Sequence, residues 1–227
     1  MVVESRAYAR AGLLGNPSDG YFGKILAISV RNFWADVFLQ QSQDIQIETH
    51  EKDSNRFRNV RELVEKINLY GYYGGVRLIK AAIKKFYEYC MSQNIKLGDK
   101  NFTIRYDSTI PRQLGLGGSS AIITAAIRSL MKFYNVDIPV ENLPSIILEA
   151  ELDELGINAG FMDRVVQVYG GCVYMNLDSK ILEEKGHGIY ERLNPALLPN
   201  LYLAYKPGLG KVSGQVLGDI RAGYEKR

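Results

Sequence analysis

Apolar residues in this chain change their spacing from element to element, and the changes mark out the elements. Up to residue 50 the apolar runs are short and β-like. "AYARAGLLG" (7–15) is apolar and runs into the turn-rich "GNPSDG". "KILAISV" (24–30) and "FWADVFLQ" (33–40) carry β-branched and aromatic residues in two separate short runs. "DIQIETH" alternates, with Ile45 and Ile47 on one face, and residues 51–60 are polar and read as a loop. From Gly75 the period becomes helical: Val76, Ile79, Ala82, Ile83 and Phe86 share a face, with Arg77, Lys80 and Lys84 off it. This predicts a helix to about Cys90.

"NFTIRYD" returns to alternation, with Phe102, Ile104 and Tyr106 on one side. Ile122, Ile123, Ala126, Ile127 and Leu130 then mark a second helix. "LPSIILEAELDELG" marks a third, with Gly156 as its stop. "CVYMNL" and "LYLAY" read as buried strands. The last stretch, from residue 206, starts as a loop and ends as a helix. Strands and helices interleave without a regular βαβα rhythm, which favours α+β over a doubly wound parallel sheet.

Composition narrows the function classes. The chain has 227 residues, 46% of them apolar and 23% charged, ordinary values for a globular protein that builds its own core. A net charge of +3 with no long Lys/Arg run does not point to nucleic acid. "MVVESRAYARAG" lacks the apolar core of a signal peptide, and no apolar run is long enough to span a membrane. Cys90 and Cys172, the two cysteines, have no metal-like spacing. The expectation is a cytoplasmic protein with small-molecule partners, no nucleic acid and no membrane; composition gives no oligomeric state.

The densest chemical signal is "PRQLGLGGSSA", residues 111–121, a glycine-rich turn that opens a helix. Glycines permit positive φ and let a ligand approach the backbone N–H groups. A helix N-terminus adds unpaired donors and partial positive charge, which together suit a di- or triphosphate. A serine hydroxyl there can also ligate Mg²⁺. It is not a Walker A loop, because no lysine precedes the serines, and Ser120 stands where a Rossmann fingerprint has its third glycine. By itself the stretch reads equally as a capped helix after a turn.

The full pattern resembles the second motif of the GHMP kinases, the galactokinase, homoserine, mevalonate and phosphomevalonate kinase family. Gly118 is a mild departure from the usual serine pair. Two further segments agree in order. "ARAGLLGNPSDGYFGKIL" (9–26) is similar to the family's opening strand and turn, with Asn16-Pro17 in place of a Glu-His pair. "AELDELGINAGFMDRVVQVYGG" (150–171) is similar to the segment that carries its two acids. Within the family, "GYYGGVRLIKA", "ELGINAGFMDRVVQVYGG" and "GHGIYERLNPALLPNLYLAY" resemble the glucuronate 1-kinases.

The resemblance implies a ribosomal protein S5 domain 2-like N-terminal domain. It also implies ATP-dependent phosphorylation of D-glucuronate at its anomeric hydroxyl, feeding UDP-glucuronate synthesis. ATP would lie on Leu114, Gly115, Leu116, Gly117, Gly118, Ser119 and Ser120. Ser120 and Glu151 would hold Mg²⁺, Asp163 would take the hydroxyl proton, and Arg10 would stabilise transition-state charge. Asp19, Tyr73 and Arg112 would bind the sugar acid. For the carboxylate, Arg112, Arg77 and Lys24 stay open; Tyr72 and Tyr73 read equally as a sugar-facing helix start or a hydrophobic staple. Phe33, Trp34 and Phe102 are candidate adenine neighbours or core residues.

No copy of the family's third glycine-rich motif is found; "KPGLGK" (206–211) is too short. The expectation is therefore an N-terminal ATP-binding domain over 1–205, with 206–227 as a linker or the start of a C-terminal domain that is largely missing. Other sugar 1-kinases, for galacturonate or galactose, and a truncated non-catalytic nucleotide- or sugar-binding protein are the alternatives.

Overall fold

The computed structural model describes residues 1–49 and 74–205. Two long strands open it, β1 (Val2–Leu14) and β2 (Lys24–Ser42). They pair antiparallel from Val2 against Gln40 to Leu14 against Leu26. The two short runs read at 24–30 and 33–40 are thus one strand. Tyr8 faces Trp34 while the next residue, Ala9, faces Val30, so Arg31, Asn32 and Phe33 form a bulge between them. A bulge bends a strand without ending it, and it breaks the alternation that a sequence pattern relies on.

β2 organises the sheet. One of its edges is taken by β1; the other is divided. Residues 35–42 pair with β4 (Asn101–Ser108), and residues 24–28 pair with β5 (Cys172–Asn176), both antiparallel. β3 (Gln46–Ile47) adds to β4 in parallel, and β6 (Ile189–Leu193) adds to β5. The order is β3-β4-β2-β5-β6, with β1 beside β2. Along β2, Ile25, Ala27, Ala35, Val37 and Leu39 are buried, while Leu26, Ile28, Phe38 and Gln40 stay at least partly open. One face of the sheet therefore takes the core.

The helices are α1 (Gly75–Ser92), α2 (Gly118–Tyr134), α3 (Leu143–Leu152), α4 (Phe161–Tyr169) and α5 (Ser179–Lys185). α2 is central, against β1 and β2 on one side and α1, α3 and α4 on the other. Its residues from Ser120 to Ile127 are all buried, as a helix enclosed on both sides requires. Its small residues Ala121, Ala125 and Ala126 share one core with the sheet alanines Ala7, Ala9 and Ala35. Ile123, Ile127 and Leu130 add bulk; truncating one to alanine would cost about 2–5 kcal/mol. A smaller second core joins Ile25, Ala27, Val173 and Met175 to Met162, Val165 and Val166 of α4, and so fixes that helix to the sheet.

Among the described residues β1 pairs only with β2, which leaves its other side as a sheet edge. Two of its carbonyls are covered: Lys132 donates to that of Glu4 at 2.9 Å and Arg128 to that of Arg6 at 3.2 Å. Cationic donors on an edge blunt strand-to-strand aggregation. Burial lowers the Arg128 pKa, and neighbouring Arg192 adds to the effect.

The mainly antiparallel sheet with helices on one face is the α+β arrangement expected. Three local expectations change. "LYLAY" forms no strand; among the described residues nothing pairs with it, and Tyr202 is 92% exposed. In "DIQIETH" only Gln46 and Ile47 pair, and Ile45 points to solvent. α3 ends at Leu152, one turn before Gly156, whose N–H closes the end on the Leu152 carbonyl at 3.1 Å. The loop at 51–60, Tyr72, Tyr73 and everything from residue 206, with the proposed domain boundary, lie outside the described residues.

Candidate active site

A cleft of about 220 Å³ lies where the ends of β1, α2, α3 and α4 meet. Its wall on one side is the glycine-rich loop. Gly115 and Gly117 adopt positive φ, 67° and 73°, and so does Gln113, at 61°. Three successive carbonyls of the loop are held by donors from β1 and α4. That of Gly115 accepts from Arg10 Nη1 at 2.6 Å, and that of Leu116 from the Arg10 backbone N–H at 3.1 Å. That of Gly117 accepts from Gln167 Nε2 at 2.7 Å. In a trans peptide the N–H points opposite to the carbonyl. The N–H groups of Leu116, Gly117 and Gly118 are therefore turned the other way, at the N-terminus of α2, as an anion site needs.

α4 supplies the acid. Gly160 precedes it in extended backbone with no side-chain cap of its own, and Asp163 sits in its first turn. Arg10 Nε donates to Asp163 Oδ1, and both side chains are mostly buried. Arg10 thus joins the loop and the acid through one guanidinium.

α4 is capped from a distance. Asp19, in a single 3-10 turn (Ser18–Tyr21), accepts from the Met162 N–H at 3.1 Å. A Cβ on Gly160 would lie 2.1 Å from Asp19 Oδ2, so only glycine admits the carboxylate there. Burial raises the Asp19 pKa and Asp163 adds to this; the Met162 N–H, Arg164 and Arg10 oppose it.

Glu151, one residue before the end of α3, is fully buried. Its Oε1 accepts from Ser119 Oγ at 2.5 Å, and its Oε2 is paired with Arg164 Nη2. Arg164 is buried too; it donates to the Gly160 carbonyl at 2.8 Å and lies 3.5 Å from Asp163 Oδ2. Burial pushes its guanidinium down to about 9, with Arg10 adding to the effect and Asp19 opposing it, so it stays charged at neutral pH.

The structure brings together Arg10, Asp19, Arg112, Gly115 to Ser119, Glu151 and Asp163 around one cleft. Two residues expected in the phosphate loop are not on its wall. Leu114 packs against the core, and Ser120 is buried with its hydroxyl donating to the Gly117 carbonyl at 3.1 Å. The serine that meets Glu151 is Ser119. Tyr73 lies outside the described residues. Of the three cations considered for the carboxylate, Arg112 lines the cleft. Arg77 instead donates to the Leu155 carbonyl at 3.1 Å, and Lys24 starts β2 away from it. Phe102 is core, packed on Phe133, and Trp34 is covered by Arg6. The apolar wall is formed by Leu78, Tyr106, Ile110 and Ile122.

The sequence pattern did not single out Arg164 or Gln167. Of the two, Gln167 left a readable signal, since it falls one helical turn after Asp163 and so shares its face.

Among the described residues no three His, Cys, Asp or Glu side chains converge as a metal cage, and no helix is long and apolar enough to cross a membrane. Residues 77–171 match the family model for the GHMP kinases N terminal domain. Over 206 residues the chain is 47% identical to glucuronokinase 1 of Arabidopsis thaliana, covering 89% of this chain and 57% of that protein. It is 46% identical to probable glucuronokinase 2 of the same plant, covering 97% of this chain and 61% of that protein. The chain thus spans about three-fifths of the length of these relatives. A D-glycero-D-manno-heptose 1-phosphate kinase structure from Bacteroides thetaiotaomicron superposes with a TM-score of 0.64 at 21% identity, covering 86% of this chain and 60% of that one.

Proposed function

We propose, from the premise that the chain carries the N-terminal domain of the GHMP kinases, that it binds ATP and a sugar acid in this cleft for transfer of the γ-phosphoryl group to the anomeric hydroxyl of D-glucuronate. The observation that carries the reading is Asp163. It is held on Arg10 and set against the loop whose N–H groups suit phosphate, where a Cβ on Gly117 would lie 3.2 Å from its carboxylate. A kinase needs an acceptor-side acid next to a phosphate cradle. The choice of glucuronate comes from the similarity to the two glucuronokinases, and the fold alone does not give it.

In this reading the anomeric oxygen attacks the γ-phosphorus, the bond from that phosphorus to the bridging oxygen breaks, and ADP leaves. Asp163 accepts the hydroxyl proton. Arg10 stabilises charge on the transferring group, and Asp19 accepts hydrogen bonds from sugar hydroxyls. Arg112, the cleft-lining member of the three cations considered, pairs with the uronate carboxylate.

Ser119 Oγ and Glu151 Oε1, 2.5 Å apart, fit Mg²⁺, which takes one or two protein oxygens and completes its shell from phosphate and water. When bound with ATP, the ion would neutralise phosphate charge. Glu151 Oε2 stays with Arg164, which keeps the buried carboxylate in place.

The test is ATP-dependent phosphorylation of glucuronate, galacturonate and galactose side by side, read as ADP release. The reading expects glucuronate to have the highest kcat/KM. Equal or greater turnover of galactose would replace it with another sugar 1-kinase; ATP binding with no phosphorylation of any of the three would make it a binding protein.

A further inference from the structure

We propose that Gln167 is a positioning residue that ties the nucleotide loop to the helix carrying Asp163, so that one turn of α4 sets the spacing between phosphoryl donor and acceptor. The inference rests on the kinase reading above.

Gln167 is 4% exposed and lies in the interior between α4 and α2. It follows Asp163 by four residues, so both side chains leave the same face of α4. Its amide is oriented by its surroundings. Nε2 donates to the Gly117 carbonyl at 2.7 Å, and Oε1 lies 3.4 Å from the Thr124 hydroxyl, which donates to the Ser120 carbonyl at 2.7 Å.

The carbonyl it holds belongs to the last residue of the loop, where donors from α2 and α4 meet. Gly117 is the residue before α2, in the left-handed region at φ 73°. Its carbonyl also accepts from the Ala121 N–H and the Ser120 hydroxyl, both at 3.1 Å. Ser120 and Ala121 belong to α2 and move with it. Gln167 is the donor that arrives from α4. A Cβ on Gly117 would lie 2.9 Å from Gln167 Nε2 and 3.2 Å from Asp163 Oδ2, so the glycine backbone rests on both residues at once.

An uncharged donor suits this position. Lysine or arginine could hold the same carbonyl, but would add a third cation to Arg10 and Arg164 beside Asp163 and compete for its carboxylate. An amide fixes the loop and leaves the Arg10–Asp163 pair undisturbed.

The experiment compares Gln167→Met, which keeps length without the donor, with Gln167→Glu, which sets an acceptor against an acceptor, and Gln167→Ala. MgATP and glucuronate affinities are measured by calorimetry, with kcat and Tm, on the protein that carries this chain. The expected result is MgATP binding weakened about tenfold in Gln167→Met and further in Gln167→Glu, a matching fall in kcat, and unchanged glucuronate affinity. A purely packing role predicts the reverse pattern, with MgATP affinity and kcat of Gln167→Met as in the wild type and only Tm lowered in Gln167→Ala; that result would overturn the inference alone. Absence of MgATP binding by the wild-type protein would overturn the kinase reading and this inference with it. If Gln167→Glu does not fold, the Met variant decides.

Discussion

The Ser119 hydroxyl donates to the buried Glu151 carboxylate at 2.5 Å, while the next hydroxyl, that of Ser120, turns back onto the Gly117 carbonyl. Adjacent serines at the start of a helix leave it about 100° apart, so only one can face α3. Ser119→Ala is expected to weaken Mg²⁺-dependent ATP binding at least about tenfold. Ser120→Ala is expected to leave it unchanged and to lower stability by about 1 kcal/mol. Mg²⁺ titrations of ATP binding in the two variants check this, and equal loss in both would remove the distinction.

Arg164 is the counter-charge of Glu151, and both side chains are almost wholly enclosed. Removing one partner of such a pair leaves a buried charge, at a cost of about 3–5 kcal/mol. Arg164→Met should therefore unfold at much lower urea. Adding Glu151→Gln to it should recover part of the loss, which a set of denaturation curves on single and double variants will show.

Asp19 reaches the start of α4 only because residue 160 has no side chain. Gly160→Ala places a methyl group on that carboxylate and forces it away. The expected outcome is a rise of about tenfold in the KM for the sugar, the effect of losing one or two hydrogen bonds, with ATP affinity unchanged. Steady-state kinetics with each substrate varied in turn separates the two.

The raised pKa of Asp19 has a signed consequence for stability. Between its ordinary value and its folded value, the folded state binds more of the proton than the unfolded state does, so stability falls as pH rises through that window. Above it the charged carboxylate remains a net cost. Asp19→Asn should flatten this part of the pH–stability curve and raise Tm at neutral pH, while weakening sugar binding. Thermal melts from acid to neutral pH measure it; a lower Tm in the variant at neutral pH would show that the Met162 contact outweighs desolvation.

Much of this site could be read from residue order. "GLGGSS", Glu151 and Asp163 are close enough in sequence to form a motif, and Arg10 falls in a strand that the apolar pattern marks. Which neighbour faces the cleft could not be read, because Ser119 and Ser120 are chemically the same and only the helix phase separates them. Arg164 stayed hidden for a related reason. Next to Asp163 it reads as an ordinary surface arginine, and only the approach of α3 turns it into the partner of Glu151. In the fold, the expected apolar residues of α2 and the alternation of β4 carried over directly, while in α1 Ile79, Ala82 and Phe86 are buried as expected but Val76 and Ile83 only partly, with Leu78 and Ala81 buried as well. The continuity of β2 did not, since the bulge at Arg31–Phe33 interrupts its period. "LYLAY" shows the converse: an apolar run is not by itself a strand, which also needs a partner to pair with.

The most direct test of the whole account is ³¹P NMR of the protein that carries this chain, given MgATP and D-glucuronate, as wild type and as Asp163→Asn. The account predicts ADP and an anomeric sugar phosphate from the wild type. It predicts a rate lowered at least about a hundredfold in the variant, with ATP binding retained. Phosphate on any other hydroxyl, or undiminished turnover in Asp163→Asn, would contradict it.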